Sequence, residues 1–556
     1  MARVVNSRIR LLLFVIVLSF GILLGRAAWI STVRAASLSK LAQAQTKAPV
    51  VLPAGRGTIF DSMGTPLALG EQATTVYADP RQIVHPATAA KVAARVLGLK
   101  ARTLYPLLAD RTHGFVYVER KAPAAEATTL AKLKLPGFSF YPEERRTYPQ
   151  GTVAAPVLGY AGVDNKGLAG LELQLDGKLT GTPGRETIVR DPFGRPIAIQ
   201  NIVPAKEGKA AFLTLDHTIQ ANAEQVLRTT VAHWHAKDAT VIVLDPKTGG
   251  VLAMAMEPGY DANNFPSAAV KELQRNHAVT DVFEPGSVFK IVTIAGALSE
   301  GLVSPQTEFT LPYSIRVADR VIHDAEPRGT ETMSVAQILQ RSSNVGAITI
   351  AKMLGKDRLL HWIKRFGFGK TTGIDFPGES AGLLPGYWSG SSIGNVPIGQ
   401  GISVTAIQLA SVYAAIAHGG VWTQPHLVDH MQGEKPPAPK TRRIVSLRVD
   451  RELLKMLKGV VSDVGTAAAA EIPGYSVAGK TGTAQKPGPN GGYAAGKYVA
   501  TFVGMVPASN PKLVVLVTLD EPKLAIFGGV VAAPAFAQIA AFDLQYLEVP
   551  PDLSLR

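Results

Sequence analysis

The 556-residue sequence has no cysteine, and only 18% of its residues are charged. The missing cysteine excludes disulfide bonds, thiolate metal sites and cysteine nucleophiles. With 46% hydrophobic residues, the low charge also excludes a disordered or low-complexity scaffold. The sequence lacks the basic patches with interleaved aromatic residues that nucleic-acid binding requires. We therefore expect a folded protein of several domain-sized units with a large core and no nucleic-acid partner.

Acidic residues are absent from the first 50 positions, which hold seven of the 57 basic residues. Leu11–Leu24 carries no charge, and extending this run to Val33 adds only Arg26. About 20 apolar residues span a bilayer, and an arginine near one end can reach the headgroups. We expect a cytoplasmic tail at 1–10, a transmembrane helix at 11–33 and a large domain outside the membrane. A cleaved signal peptide is the alternative, although no A-x-A site follows the run.

Beyond the apolar segment the composition changes twice. Residues 34–49 are polar and Ala-rich, which predicts a stalk, and 50–206 are rich in Gly and Pro with short β-like runs, which predicts an extended β-rich pedestal domain. From 207 to 556, strand patterns flank a block of helical patterns. This arrangement predicts an α+β fold with an antiparallel sheet packed by helices. The strand patterns are 240–244, 250–256, 499–505 and 513–519, and the helical patterns are 287–300, 334–354, 405–418 and 451–463.

A candidate nucleophile lies in the segment 284–290, which reads E-P-G-S-V-F-K. Pro-Gly breaks the chain and an apolar periodic run follows, so Ser287 should begin a helix with Lys290 one turn later on the same face. A serine hydroxyl is a poor nucleophile until a base takes its proton. A lysine can be that base if burial or a second cation lowers its pKa. S-x-x-K alone is a weak signal, and surface Ser and Lys would give the same letters.

Two further motifs strengthen the signal. Ser342 and Asn344 form an S-x-N motif 55 residues after Ser287, and a K-T-G motif begins 193 residues after it at Lys480. The order S-x-x-K, S-x-N, K-T-G is the signature of penicillin-recognising serine enzymes. Ser342 could relay the proton to a leaving amine, and Asn344 could hold a peptide amide. The residues expected to bind a terminal carboxylate and let substrate approach the backbone are Lys480, Thr481, Gly482 and Thr483.

Three other patterns match sites that their surroundings do not favour. Residues 474–481 fit a phosphate-binding loop, but no hydrophobic strand precedes them and no helical pattern follows. Residues 390–394 fit a nucleophile elbow but lie in a Gly/Ser-rich loop. His233 and His235 alternate on a predicted helix and therefore point apart, which disfavours a metal site.

The chain as a whole resembles the class B penicillin-binding proteins, which are monofunctional peptidoglycan transpeptidases, and most of all their division-specific FtsI type. The family's R-G-x-I-x-D box is matched at 56–61, although the family usually continues D-R-x-G where this chain has Asp61-Ser62-Met63-Gly64. Further matches are Tyr148-Pro149, Leu158-Gly159-Tyr160, Gly170-Leu171-Glu172, Gly399-Gln400-Gly401, Phe502-Val503-Gly504, Gly528-Gly529 and Ala533-Pro534.

The resemblance implies a substrate, a location and partners. The donor would be the D-Ala-D-Ala end of a peptidoglycan stem peptide, the acceptor an amine on a neighbouring stem, and β-lactams would acylate Ser287. The enzyme would cross the inner (cytoplasmic) membrane once, with its catalytic domain periplasmic at the division septum. Partners would be an FtsW-like glycosyltransferase and other division proteins, and no metal or cofactor is implied. An elongation-type transpeptidase, a β-lactam or D-Ala-D-Ala hydrolase and a non-catalytic scaffold are the alternatives.

Overall fold

The computed structural model describes residues 2–191, 196–265, 275–488 and 492–554. The chain divides into two compact units. The first consists of Met1–Gly55 and Gly181–Gly208, and the second of Arg56–Thr180 and Lys209–Arg556.

The first unit begins with a long apolar helix. This helix, α1 (Ala2–Thr32), is long and apolar enough to cross a membrane over Asn6–Thr32, which agrees with the predicted span. The predicted stalk is mostly regular structure, because helix α2 and the start of strand β1 cover it. Strand β1 pairs antiparallel with β6, which pairs with β7. The remaining elements of this unit are α2 (Ala35–Thr46), β1 (Lys47–Leu52), β6 (Gly184–Arg190) and β7 (Pro196–Val203).

The pedestal segment, Arg56–Thr180 in the second unit, contains both strands and helices. Its strands join two later ones in a sheet of order β16-β8-β2-β3-β4, with β5 also paired to β3. Alternate residues of β3, such as Val76 and Ala78, are buried against helices α3, α4 and α5. The strands are β2 (Ile59–Phe60), β3 (Pro66–Ala78), β4 (Val116–Pro123), β5 (Phe138–Thr147), β8 (Ala211–Leu213) and β16 (Val428–Met431). The helices are α3 (Pro86–Leu97), α4 (Ala101–Ala109), α5 (Ala124–Lys132), α6 (Ala155–Leu158), α7 (Gly170–Gln174) and α8 (Asp176–Leu179).

An antiparallel five-stranded sheet of order β10-β9-β20-β19-β18 forms the centre of the rest of this unit. The predicted hairpin at 240–256 is its β9–β10 pair. Strands β9 and β20 read as nearly continuous apolar runs because both of their faces are buried: in β9, Val241 and Val243 join one core cluster, and Ile242 and Leu244 the other. The strands are β9 (Asp238–Leu244), β10 (Val251–Glu257), β18 (Ala478–Pro487), β19 (Tyr493–Val506) and β20 (Leu513–Asp520).

Helices cover both faces of this sheet, and small strand pairs surround them. The helical pattern at 334–354 is two helices, α12 and α13, because Ser342 adopts a left-handed φ of 58° between them and Ser343 caps the second. The helices are α9 (His217–Trp234), α10 (His277–Thr280), α11 (Lys290–Ser299), α12 (Val335–Gln340), α13 (Asn344–Leu354), α14 (Lys356–Phe366), α15 (Ser392–Asn395), α16 (Ala406–Ala417), α17 (Leu447–Val460), α18 (Gly528–Val531) and α19 (Ala533–Tyr546). The small strands are β11 (Glu308–Leu311), β12 (Ser314–Val317), β13 (Arg320–His323), β14 (Glu331–Ser334), β15 (Val421–Thr423) and β17 (Thr441–Arg443).

Candidate active site

Ser287 lies in a short turn of 3₁₀ helix, Gly286–Phe289, that leads directly into α11. Two backbone contacts fix this turn: Gly286 N–H donates to Gly399 O at 3.0 Å, and the buried Tyr413 hydroxyl donates to Val288 O at 2.8 Å. Ser287 itself is partly exposed, whereas the residues on either side of it are buried. The serine hydroxyl is therefore accessible at the start of a rigid, buried helix.

The K-T-G motif lies within strand β18, which runs directly against the serine turn. A Cβ atom at Gly482 would lie 2.9 Å from the carbonyl oxygen of Pro285, and one at Gly286 would lie 3.1 Å from the carbonyl oxygen of Thr483. Both distances are shorter than a side chain normally allows, so these two glycines permit the close approach. The first and third motifs are therefore adjacent.

The side chains of all three motifs meet at the hydroxyl of Ser342. Lys290 Nζ lies 3.2 Å from Ser342 Oγ and 2.8 Å from Asn344 Oδ1, and it also contacts the carbonyl oxygen of Ser342. Lys480 Nζ lies 3.0 Å from the same Ser342 Oγ and also donates to the carbonyl oxygen of Thr481 at 3.1 Å. Two lysines thus contact one hydroxyl oxygen, although 52 and 138 residues of sequence separate them from Ser342.

Both lysines are completely buried. Burial lowers the pKa of Lys290 well below its usual value, and the neighbouring Lys480 lowers it further. Burial also lowers the pKa of Lys480, to about 7. Loss of hydration and like-charge repulsion are the two effects that favour a neutral lysine. A neutral Lys290 has a lone pair and can act as a base.

The remaining predicted residues line the same region. Thr481 Oγ1 lies 3.3 Å from Lys480 Nζ and 2.8 Å from Thr466 Oγ1. Thr483 Oγ1 accepts from the backbone N–H of Gly528 at 3.3 Å. Hydrogen bonds join Lys290, Ser342, Asn344, Lys480 and Thr481. Ser287, Gly482 and Thr483 join them through the packing of β18 on the serine turn.

The sequence reasoning missed Asp324, which lies just after β13 and holds the S-x-N turn. Its buried carboxylate accepts from the hydroxyl of Ser343 at 3.0 Å and from the backbone N–H groups of Asn344 at 2.6 Å and Val345 at 3.0 Å. The adjacent carbonyl of His323 accepts from the side-chain amide of Asn344 at 2.8 Å. No local signal could have indicated this role, since a single aspartate 19 residues before Ser343 belongs to no pattern.

The three disfavoured patterns have the surroundings expected of them. Lys480 is inside a strand rather than between a strand and a helix, which excludes a phosphate-binding loop. Ser392 Oγ accepts from the backbone N–H of Ser389 in a polar turn. His233 lies in the last turn of α9, and His235 follows the end of that helix.

Comparison with known families agrees with this geometry. The model of the penicillin-binding protein transpeptidase domain matches residues 239–541, and that of the penicillin-binding protein dimerisation domain matches residues 51–213. The chain belongs to the class B penicillin-binding proteins. The predicted family and fold class are thereby confirmed, and this penicillin-binding protein is an enzyme of the serine acyltransferase type.

Relatives of this penicillin-binding protein match almost end to end. The chain is 34% identical to the peptidoglycan D,D-transpeptidase FtsI of Escherichia coli K12, over 99% of this chain and 94% of that one. It is also 34% identical to the probable peptidoglycan D,D-transpeptidase PenA of Neisseria meningitidis, over 98% of this chain and 94% of the relative. The crystal structure of penicillin-binding protein 3 from Mycobacterium tuberculosis complexed with aztreonam aligns with a TM-score of 0.72 at 32% identity, covering 91% of this chain and 99% of that one.

Proposed function

We propose that this enzyme is a septal peptidoglycan D,D-transpeptidase that cross-links stem peptides through an acyl-enzyme on Ser287. The observation that carries the proposal is the convergence of Lys290 and Lys480 on the Ser342 hydroxyl, with Ser287 one turn before Lys290. The substrate class is supported by the relatives FtsI, a peptidoglycan D,D-transpeptidase, and PenA, a probable one.

Acylation begins when Ser287 Oγ attacks the carbonyl carbon before the terminal D-Ala and passes its proton to neutral Lys290. We expect backbone N–H groups of the serine turn, Gly286–Phe289, to stabilise the developing oxyanion. The proton then moves through the Ser342 hydroxyl to the leaving nitrogen as the peptide C–N bond breaks, and D-Ala leaves as an amine. An amine of a second stem peptide attacks the ester, a new amide forms, and Ser287 regains its hydrogen.

Substrate binding is assigned to the remaining motif residues. Asn344 is placed to hold the peptide amide, and Lys480 with the hydroxyls of Thr481 and Thr483 to bind the terminal carboxylate. A bound carboxylate would stabilise the charged form of Lys480, which would keep Lys290 neutral by repulsion. Gly482 leaves space for the substrate along the strand.

The domain boundaries and location are part of the proposal. We assign a cytoplasmic tail to 1–10, a membrane anchor to 11–33, a stalk to 34–49, a pedestal to 50–206 and the transpeptidase domain to 207–556. Within the described residues, one helix is apolar and long enough to span a membrane, which supports an anchored enzyme, and we assign its catalytic domain to the side outside the cytoplasm. The name FtsI of the E. coli relative supports a place at the division septum. We expect an FtsW-like glycosyltransferase and other division proteins as partners there.

The decisive experiment is mass spectrometry of the full chain, in detergent, after reaction with a labelled penicillin. We expect one long-lived adduct on the peptide containing Ser287, no adduct in Ser287→Ala, and an unchanged adduct in the control Ser392→Ala. A label on another residue would overturn the assignment. Rapid loss of the label with accumulation of hydrolysed penicillin would indicate a hydrolase instead.

The septal role has its own test in cells that depend on this gene. Depletion should produce filaments, and Ser287→Ala should fail to restore division although it reaches the membrane. Rounded cells would indicate an elongation enzyme, and full rescue by Ser287→Ala would indicate a scaffold.

A further inference from the structure

The turn that carries Ser342 and Asn344 is held from outside the three motifs. Ser342 has a positive φ of 58°, which a non-glycine residue adopts only when surrounding contacts hold it there. Asp324 holds the residues that follow Ser342, because its carboxylate accepts hydrogen bonds from Ser343, Asn344 and Val345. A loop that precedes α12 therefore determines where two acceptors of Lys290 lie.

Asp324 is itself paired with an arginine. Arg328 donates to Asp324 Oδ2 at 2.6 Å through Nη2 and at 3.0 Å through Nε, and both side chains are nearly buried, with 12% and 8% of their surface exposed. The same guanidinium donates to the carbonyl oxygens of Leu311 at 2.8 Å and Pro312 at 3.1 Å. Arg328 thus connects the loop that contains Asp324 to the end of β11. Buried ion pairs with further hydrogen bonds of this kind hold a single geometry strongly.

We propose that Asp324 and Arg328 form a positioning pair for the proposed base, Lys290. Asp324 holds the turn of Ser342 and Asn344 against the lysine, and Arg328 partly neutralises the Asp324 carboxylate, which limits how far that carboxylate favours the ammonium form of Lys290. The inference rests on the proposed function, since it assigns a purpose to a neutral Lys290.

The charges around Lys290 support the second half of this proposal. Within the described residues, burial and Lys480 on β18 lower the pKa of Lys290, and Asp324 is the one carboxylate that raises it. Within the described residues, the helices packed against α11 contribute no further charged group to the pKa shift of Lys290. These helices are α12, α13, α14 and α17. Asp324 therefore acts against the neutral lysine even within its ion pair, and loss of Arg328 should strengthen this effect.

The two members of the pair should fail in opposite directions. In Asp324→Asn one negative charge is lost and the turn loosens, so acylation should fall about 10- to 100-fold, with its acid limb at lower pH. In Arg328→Met the hydrogen bonds that the turn donates to Asp324 remain, but the carboxylate has lost its arginine. The acid limb should then move up by about one pH unit, because more Lys290 is protonated at a given pH.

The experiment measures the second-order rate constant of acylation by a fluorescent penicillin between pH 5 and 10, using the full chain in detergent. The matched control is Asp375→Asn, since Asp375 is a partly buried carboxylate that also accepts backbone N–H groups, from Leu427 at 2.7 Å and Val428 at 2.9 Å. The control should keep the wild-type pH profile. Thermal unfolding of each variant measures loss of structure separately.

Each outcome decides the proposal. Opposite shifts of the acid limb, with an intermediate profile in the double variant, support it. Equal losses of rate in both variants without any pH shift would assign the pair a structural role only. If Asp324→Asn does not fold, Arg328→Met alone decides by the direction of its shift. Failure of the wild type to acylate on Ser287 would instead overturn the proposed function.

Discussion

Two groups of buried charges in this enzyme are built in opposite ways. In the pedestal segment, Glu172 lies between Arg56 and Arg146, with each guanidinium 2.6 Å from one of its oxygens. At the active site, Lys290 and Lys480 converge on a hydroxyl, and no described carboxylate hydrogen-bonds to either lysine. The first group balances its charges inside the protein, whereas the second buries two amines without a counter-ion.

The consequence is visible in how readily the groups ionise. Burial alone would lower the pKa of Arg56, but Glu172 and then Asp176 outweigh it and raise the pKa. For Lys290 both burial and Lys480 act in the lowering direction. An arginine buried beside a carboxylate therefore stays charged and joins segments of the chain. A lysine buried without a carboxylate loses its proton more readily and can act as a base. Three substitutions would test this contrast.

The largest effect is expected from Lys290→Met, which removes the proposed base and leaves the serine in place. Acylation by penicillin should fall about 10³-fold, since a positioned general base contributes about 10²–10⁴. Stopped-flow or gel-based labelling of the full chain measures the rate, and Lys352→Met, an exposed lysine on α13, serves as the control. A rate within tenfold of the wild type would show that Lys290 is not the base.

The next effect is expected from Glu172→Gln, which leaves two buried guanidinium groups with no carboxylate between them. Breaking a buried ion pair destabilises by about 3–5 kcal/mol, which a urea or thermal unfolding curve measures. The molecules that remain folded should still be acylated at the wild-type rate.

A matched surface pair sharpens this second test. Glu71 pairs with Arg145 at 2.9 Å, and both side chains are about half exposed. Glu71→Gln should therefore change stability by about 1 kcal/mol or less. Equal destabilisation by the two substitutions would contradict the importance of burial.

An effect with two signs is expected from Lys480→Met. Removing the buried cation should slow acylation, because the carboxylate site is lost and the pKa of Lys290 rises, so that the acid limb moves to higher pH. The same change should stabilise the fold at pH 7, because it removes a buried amine whose protonated form burial disfavours.

The pH dependence of stability follows from the same lysine. The pKa of Lys480 is about 7 in the folded chain and near 10.5 in the unfolded one, so the unfolded chain binds more protons between these values. Its contribution makes wild-type stability rise as pH increases from 7 towards 10.5, and Lys480→Met should flatten that rise. The control is Lys486→Met on the same strand. Because Lys486 pairs with Asp520 at 2.7 Å, this variant should be less stable than the wild type.

Several elements could be predicted from local sequence because local physics determines them. The hairpin at 240–256 follows from β-branched runs around a turn, and α1 from a long uncharged run. The sequence predicts one helical pattern at 334–354 because its apolar periodicity continues across Ser342. The structure has two helices there, since the contact with Asp324 breaks the helix at this point. Because this contact joins distant parts of the sequence, the role of Asp324 could not be predicted from local patterns.

The amino-acid sequence by itself determined the family, the order of the three motifs and the presence of an apolar span, because residue types and spacing are local properties. The tertiary structure alone decided that Lys290 and Lys480 are both buried and share the Ser342 hydroxyl. The tertiary structure alone also showed that Asp324 contacts the S-x-N turn and pairs with Arg328. Hydration and the distance between charges set the proton affinity of a lysine, and both exist only once distant parts of the chain have packed together.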